Sequence, residues 1–96
     1  MDKKIKEYTH RFPSVKNLQI TSSDRKGKRF TATFVMGGET QNIHFGLKGA
    51  HTFYDGATQQ KMLSYRARAS KIKNKYGQYT YKIPGTANSF AYWILW

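Results

Sequence analysis

Residues 29–46 read RFTATFVMGGETQNIHFG, and apolar and polar positions alternate on both sides of Gly37-Gly38. Period-two alternation marks a half-buried strand, and two central glycines supply the positive φ angles a tight hairpin turn needs. A two-residue loop pairs Met36 with Glu39, Phe34 with Gln41, Ala32 with Ile43 and Phe30 with Phe45. That register puts Phe30, Ala32, Phe34, Ile43 and Phe45 on one face. Thr31, Thr33, Val35, Thr40, Asn42 and His44 fall on the other. Turn geometry and hydrophobic pattern select this register independently, and a slip by one residue would invert every side chain.

Upstream, residues 14–23 (SVKNLQITSS) read as a further strand with Leu18 and Ile20 on its apolar face. The connector 24–29 contains Gly27 and is long enough for an antiparallel return, which gives a three-stranded meander. Residues 1–13 scatter Ile5, Tyr8 and Phe12 among charges and close at Pro13, the pattern of a basic arm that docks on something or frays. Downstream, residues 46–56 form a loop with three glycines. In 57–77 the spacing of Met62, Tyr65, Ala69, Ile72 and Tyr76 predicts a helix, with Asp55 at its start and Gly77 at its end. Residues 77–83 alternate Tyr79, Tyr81 and Ile83, so the far end of that segment reads equally as a second hairpin. The helix is expected to about residue 70, with 71–76 open between the two.

The chain closes on SFAYWILW, residues 89–96, four of them aromatic and none charged. Thr86 or Ser89 can cap a short helix there. Phe90, Trp93 and Ile94 share one helical face and are expected to close the core, leaving Tyr92 or Trp96 for a neighbour. The fold class is therefore α+β, a small antiparallel meander packed against one or two short helices under an aromatic C-terminal helix. The domain organisation expected is a basic arm at 1–13 and one domain at 14–96.

With 96 residues, 39% of them hydrophobic and much of that aromatic, the core is small and a binding partner would add to its burial. The absence of cysteine excludes disulfides, thiolate metal sites and thiol catalysis. The longest uncharged apolar window, 83–96, contains Pro84, Gly85, Thr86, Asn88 and Ser89. A spanning helix needs roughly 20 apolar residues, so a membrane anchor is excluded, while adsorption to a membrane surface through Trp and Tyr is not. No secretory signal pattern follows the first residues, and export is not expected.

The formal net charge is +12, unevenly spread. Residues 1–29 hold nine Lys/Arg against three acids, 30–55 hold one against two, and 56–96 hold seven and no acid. Two basic blocks around a near-neutral middle point to surfaces that face a polyanion or an acidic protein. The five acids, Asp2, Glu7, Asp24, Glu39 and Asp55, form no paired motif. His10, His44 and His51 have no ligand spacing, and the serines no nucleophile elbow. Neither an enzyme nor a cofactor or small-molecule substrate is expected. The candidate contacts to a polyanion or acidic partner are Arg25, Lys26, Lys28 and Arg29 around Gly27, with Arg66, Arg68, Lys71, Lys73 and Lys75 in the aromatic-interleaved run 65–76. Cations alternating with aromatics suit phosphate neutralisation with stacking support. The same run also reads as an amphipathic helix whose tyrosines face the core. The candidate partner interface is Phe90, Tyr92, Trp93 and Trp96.

The elements Lys28-Arg29-Phe30-Thr31-Ala32-Thr33-Phe34, His44-Phe45-Gly46, Tyr65-Arg66-Ala67-Arg68 and Trp93-Ile94-Leu95-Trp96 resemble a set of small basic proteins. These are encoded by large nucleocytoplasmic double-stranded DNA viruses of the phycodnavirus and mimivirus kind. The resemblance runs over residues 28–96, leaves the N-terminal segment outside and carries no catalytic residues. It implies a virion context, made in the host cytoplasm and placed at the inner capsid surface or core. The first functional reading is a minor capsid or cement protein that bridges virion subunits through its aromatic C-terminus and basic faces. The alternative is a virion core protein that binds nucleic acid without sequence preference.

Overall fold

The computed structural model describes residues 1–96. Strands β1 (Lys16–Ser22), β2 (Lys28–Met36) and β3 (Glu39–Leu47) form one antiparallel meander in that order. The hairpin register is the one its sequence dictates, from Met36 opposite Glu39 to Phe30 opposite Phe45. Gly37 and Gly38 hold the turn at φ of 62° and 79°. Between β1 and β2, Lys16 pairs with Val35 but Gln19 with Thr33, so β1 carries one extra residue. Asn17 absorbs it at φ 53°, a left-handed conformation Asn tolerates better than most residues.

One sheet face carries the core. Ala32, Phe34 and Phe45 are fully buried on it, with Phe30, Ile43 and Ile20 packed around them. The opposite face, with Thr31, Thr33, Asn42 and His44, is polar and half or fully exposed. Ser23 Oγ lies 2.7 Å and Thr31 Oγ1 3.0 Å from His44 Nδ1, so the histidine is held as part of that polar face.

Two helical elements cover the apolar face. Residues 1–13, expected as an arm, instead form α1 (Asp2–Arg11) in the same core as the rest of the chain. Met1, Ile5, Tyr8 and Phe12 recur at steps of four, three and four, a narrow apolar stripe hidden in sequence by intervening charges. Pro13, which cannot continue a helix, follows it. From the other end of the chain, α3 (Ala87–Phe90) runs on into a π-helical turn, Ala91–Leu95. Thr86 Oγ1 accepts from Ser89 N and caps α3 as expected. The Trp96 N–H donates to Ala91 O, and this wider bonding pattern turns Ile94, Leu95 and Trp96 all inward. Phe90 sits at the centre, its ring centroid 4.6 Å from Tyr8, 5.3 Å from Phe34 and 5.4 Å from Phe45.

Helix α2 (Gln59–Ala69) presents Met62, Tyr65 and Ala69 inward. Its cap is Thr58, whose Oγ1 accepts from Lys61 N; Asp55, expected in that role, lies in the preceding 3₁₀ turn (Phe53–Asp55). The helix ends at Ala69, in line with the expected end at about residue 70. Residues 71–79 fold back on themselves, closed by one bridge between Lys73 and Tyr79 and centred on Asn74 Oδ1, which accepts from Tyr76 N and Gln78 N. Residues 77–83 form no strand; Thr80–Lys82 is a 3₁₀ turn. No helix is long and apolar enough to cross a membrane. Every buried side-chain nitrogen and oxygen has a hydrogen-bond partner.

Candidate nucleic-acid interface

The C-terminal helix that closes the core also turns two rings outward. Tyr92 and Trp93 are half-buried, and three other parts of the chain supply cations and rings around them. The Arg11 guanidinium, from α1, lies 3.7 Å from the Trp93 ring centroid. The Arg66 guanidinium, from α2, lies 4.9 Å from Tyr92 and 5.7 Å from Trp93. Tyr81 packs 4.8 Å from Tyr92, and Lys82 Nζ lies 5.6 Å from the Tyr81 ring. Two hydrogen bonds fix the patch: Trp93 Nε1 donates to Tyr81 O at 2.9 Å, and Arg66 Nε donates to Trp96 O at 3.1 Å. A guanidinium over an aromatic face keeps its charge while its flat side is desolvated. The patch thus offers fixed positive charge interleaved with π-surface. A groove of about 490 Å³ lined by Glu7, Tyr8, His10, Arg11 and Trp93 runs beside it.

Two further basic groups lie elsewhere on the surface. On the 71–79 turn, Lys73 Nζ lies 5.0 Å from the Tyr79 ring and Lys75 Nζ 5.1 Å from the Tyr76 ring. Tyr76 is 75% exposed, and Lys71, Lys73 and Lys75 are all exposed. At the β1–β2 connection, Arg25, Lys26 and Lys28 are exposed. Arg68 is exposed on α2, close enough to Tyr65 to act on its hydroxyl, although burial is the larger influence and pushes that phenol up.

Three of the residues singled out in sequence have other work. Phe90 is fully buried and has no surface for a partner, while Trp96, 9% exposed and stacked 4.4 Å from Tyr65, keeps only a narrow edge at the surface. The reason is local: an apolar helix on a small sheet is used up by its own core. Arg29, expected in the basic loop, forms a two-pronged ion pair with Asp55, both contacts at 2.6 Å. Asp55 Oδ2 also accepts from Thr52 N and Thr52 Oγ1. The Arg29 guanidinium and then the Thr52 N–H hold this carboxyl far below the usual carboxylate range. Conversely, Arg11, Tyr81 and Lys82 belong to the patch although no sequence pattern singles them out. The stripe that places Tyr8 and Phe12 inward is the signal that puts Arg11 at the edge of the core.

Residues 18–69 match a protein family described as a family of unknown function (DUF5754). The match spans more than half of the chain, and the chain belongs to this family. A protein of Acanthamoeba polyphaga mimivirus, "Uncharacterized protein L851", is 40% identical over 94 residues, which cover 97% of this chain and 93% of the viral protein. That kinship supports an origin in a large nucleocytoplasmic DNA virus. It also takes in the N-terminal segment, beyond the 28–96 range of the motif resemblance. No solved structure matches the chain.

Proposed function

We propose that this chain is a non-enzymatic virion protein that binds nucleic acid through its phosphates without reading sequence. One observation carries the reading. Of seventeen Lys and Arg, only Lys4 and Arg29 have an Asp or Glu carboxylate within 4.0 Å, which leaves fifteen cations with no acidic side chain as partner. Several of them rest on aromatic rings, an arrangement suited to a charged backbone with bases beside it. The cement reading placed its partner interface at Phe90, Tyr92, Trp93 and Trp96, of which Phe90 and Trp96 are buried. What remains for a capsid neighbour is the Tyr92–Trp93 patch, and its two arginines favour an anionic partner there as well.

The test is retention of duplex DNA of unrelated sequences as a function of salt. Log affinity should fall linearly with log salt, with a slope of about −0.9 per phosphate neutralised, and should be the same for each sequence. Absence of retention at about 50 mM salt, the low end of the range that relation treats, would falsify the reading. A fixed ratio to the major capsid protein in washed particles lacking DNA would favour the cement role instead.

A further inference from the structure

On the side of the C-terminal helix away from Trp93, a cleft of about 450 Å³ opens between α2 and the end of β3 with its following loop. This is within the range of roughly 300–1,000 Å³ usual for small-molecule sites. Its floor is apolar, built from Phe45, Ala91, Leu95 and Trp96. Tyr65 forms one wall, its ring nearly parallel to that of Trp96, at 12° and 4.4 Å. Small residues keep it open, notably Ala50, Ala87 and Gly46. Gly46 has φ of 79°, and a Cβ there would lie 3.1 Å from Leu95 Cδ1. Lys28, Lys61 and Arg68 stand among the lining residues, which include no carboxylate side chain.

We propose that this cleft receives one unpaired nucleobase of a bound strand, with Lys28, Lys61 and Arg68 meeting the flanking phosphates. Three features choose this occupant. The cations demand an anion, the aromatic wall and floor suit a flat ring, and polar groups line part of the cavity. Asn88 Nδ2 is committed to Ala69 O and Thr80 Oγ1, which leaves its Oδ1 as an acceptor for a base N–H. Ser64 adds an exposed hydroxyl on α2. An acyl chain would leave these polar groups facing methylenes, at a desolvation cost. The inference rests on nucleic acid being the partner, and it extends that reading from phosphate neutralisation to single-strand preference.

The experiment compares an oligothymidylate of about eight nucleotides, within the usual single-strand site size, with an abasic strand of equal length. Both carry the same phosphates, so backbone binding alone gives equal affinities. Base insertion predicts that the thymidylate binds on the order of tenfold tighter, the scale of one stacked base. Ser64→Trp, at an exposed position, fills the cleft and should abolish the difference between thymidylate and the abasic strand. Amide and indole chemical shifts of the unaltered protein provide a second readout that needs no variant. Thymidylate, and not the abasic strand, should move Ser64, Ala91 and the Trp96 indole. Equal affinities, a difference that survives Ser64→Trp, or shifts confined to Tyr92 and Trp93 each overturn the proposal. So does a cleft that responds to octanoate and not to thymidylate. If neither strand is retained at low salt, the nucleic-acid reading fails with it; if both are retained equally, only the cleft fails.

Discussion

Replacing Tyr8 by Phe removes one oxygen and leaves the ring stacked on Phe90. That oxygen lies 2.6 Å from Ser89 Oγ and accepts from Gly85 N at 3.1 Å, while Ser89 Oγ donates to Thr86 O. Tyr8→Phe leaves Ser89 with Thr86 but strands the Gly85 N–H in a buried place. A loss of about 1–3 kcal/mol follows, read as a lower urea midpoint with an unchanged slope. Burial pushes the Tyr8 phenol up. The unfolded chain therefore releases its proton first on alkalinisation, and stability falls above about pH 10; the Phe variant lacks that contribution. Gly85 itself sits at φ 80°, and an added Cβ would lie 3.0 Å from Met36 Cε and 3.2 Å from the Phe34 ring. Gly85→Ala should accordingly lower the thermal midpoint clearly more than Gly77→Ala, where a Cβ meets only open space at a similar φ of 78°.

Between elements, the Arg29–Asp55 pair ties the start of β2 to the turn that leads into α2. Because the folded state lowers the Asp55 pKa, the unfolded chain takes up the proton first on acidification. The pair's stabilisation is present above about pH 4 and is lost as pH falls through and below that value. Asp55→Asn should lower the urea midpoint at pH 7 and flatten its decline between about pH 5 and pH 2 relative to the unaltered protein. The hairpin was legible because period, turn residues and burial all agreed on one register, and α2 because Met62, Tyr65 and Ala69 keep helical spacing. Helix α1 was not, since its apolar stripe is one residue wide and charges fill every gap. The Arg29–Asp55 pair lies 26 residues apart, and nothing local distinguishes these two charges from solvated ones. Phe90 and Ile94 close the core as their spacing predicts, but Trp96 does not face outward, because spacing arguments assume an α-helix and the π-turn sends it inward. Of the candidate patch, Tyr92, Trp93 and Arg66 were visible in sequence, whereas Arg11 and Tyr81 reach it only through the tertiary fold.

At the scale of the whole molecule, charge is distributed over faces that no internal acid neutralises, so affinity for DNA should respond to cation number more than to position. Arg25→Gln with Lys26→Gln, both exposed and outside the core, should reduce the salt slope by about 1 for each phosphate that is no longer neutralised. The thermal midpoint should barely move. Tyr8 and Ser89 meet across 81 positions of chain, and this has a bearing on how the protein is made. The first helix leaves the ribosome long before the residues that complete its burial exist. Closing a loop of that length costs about 4 kcal/mol of chain entropy, recovered only when the aromatic helix arrives. The core therefore closes only once residues 87–96 have emerged. In the interval the hairpin's phenylalanines stand open, and a higher concentration of such incomplete chains should favour aggregation over folding until that helix covers them.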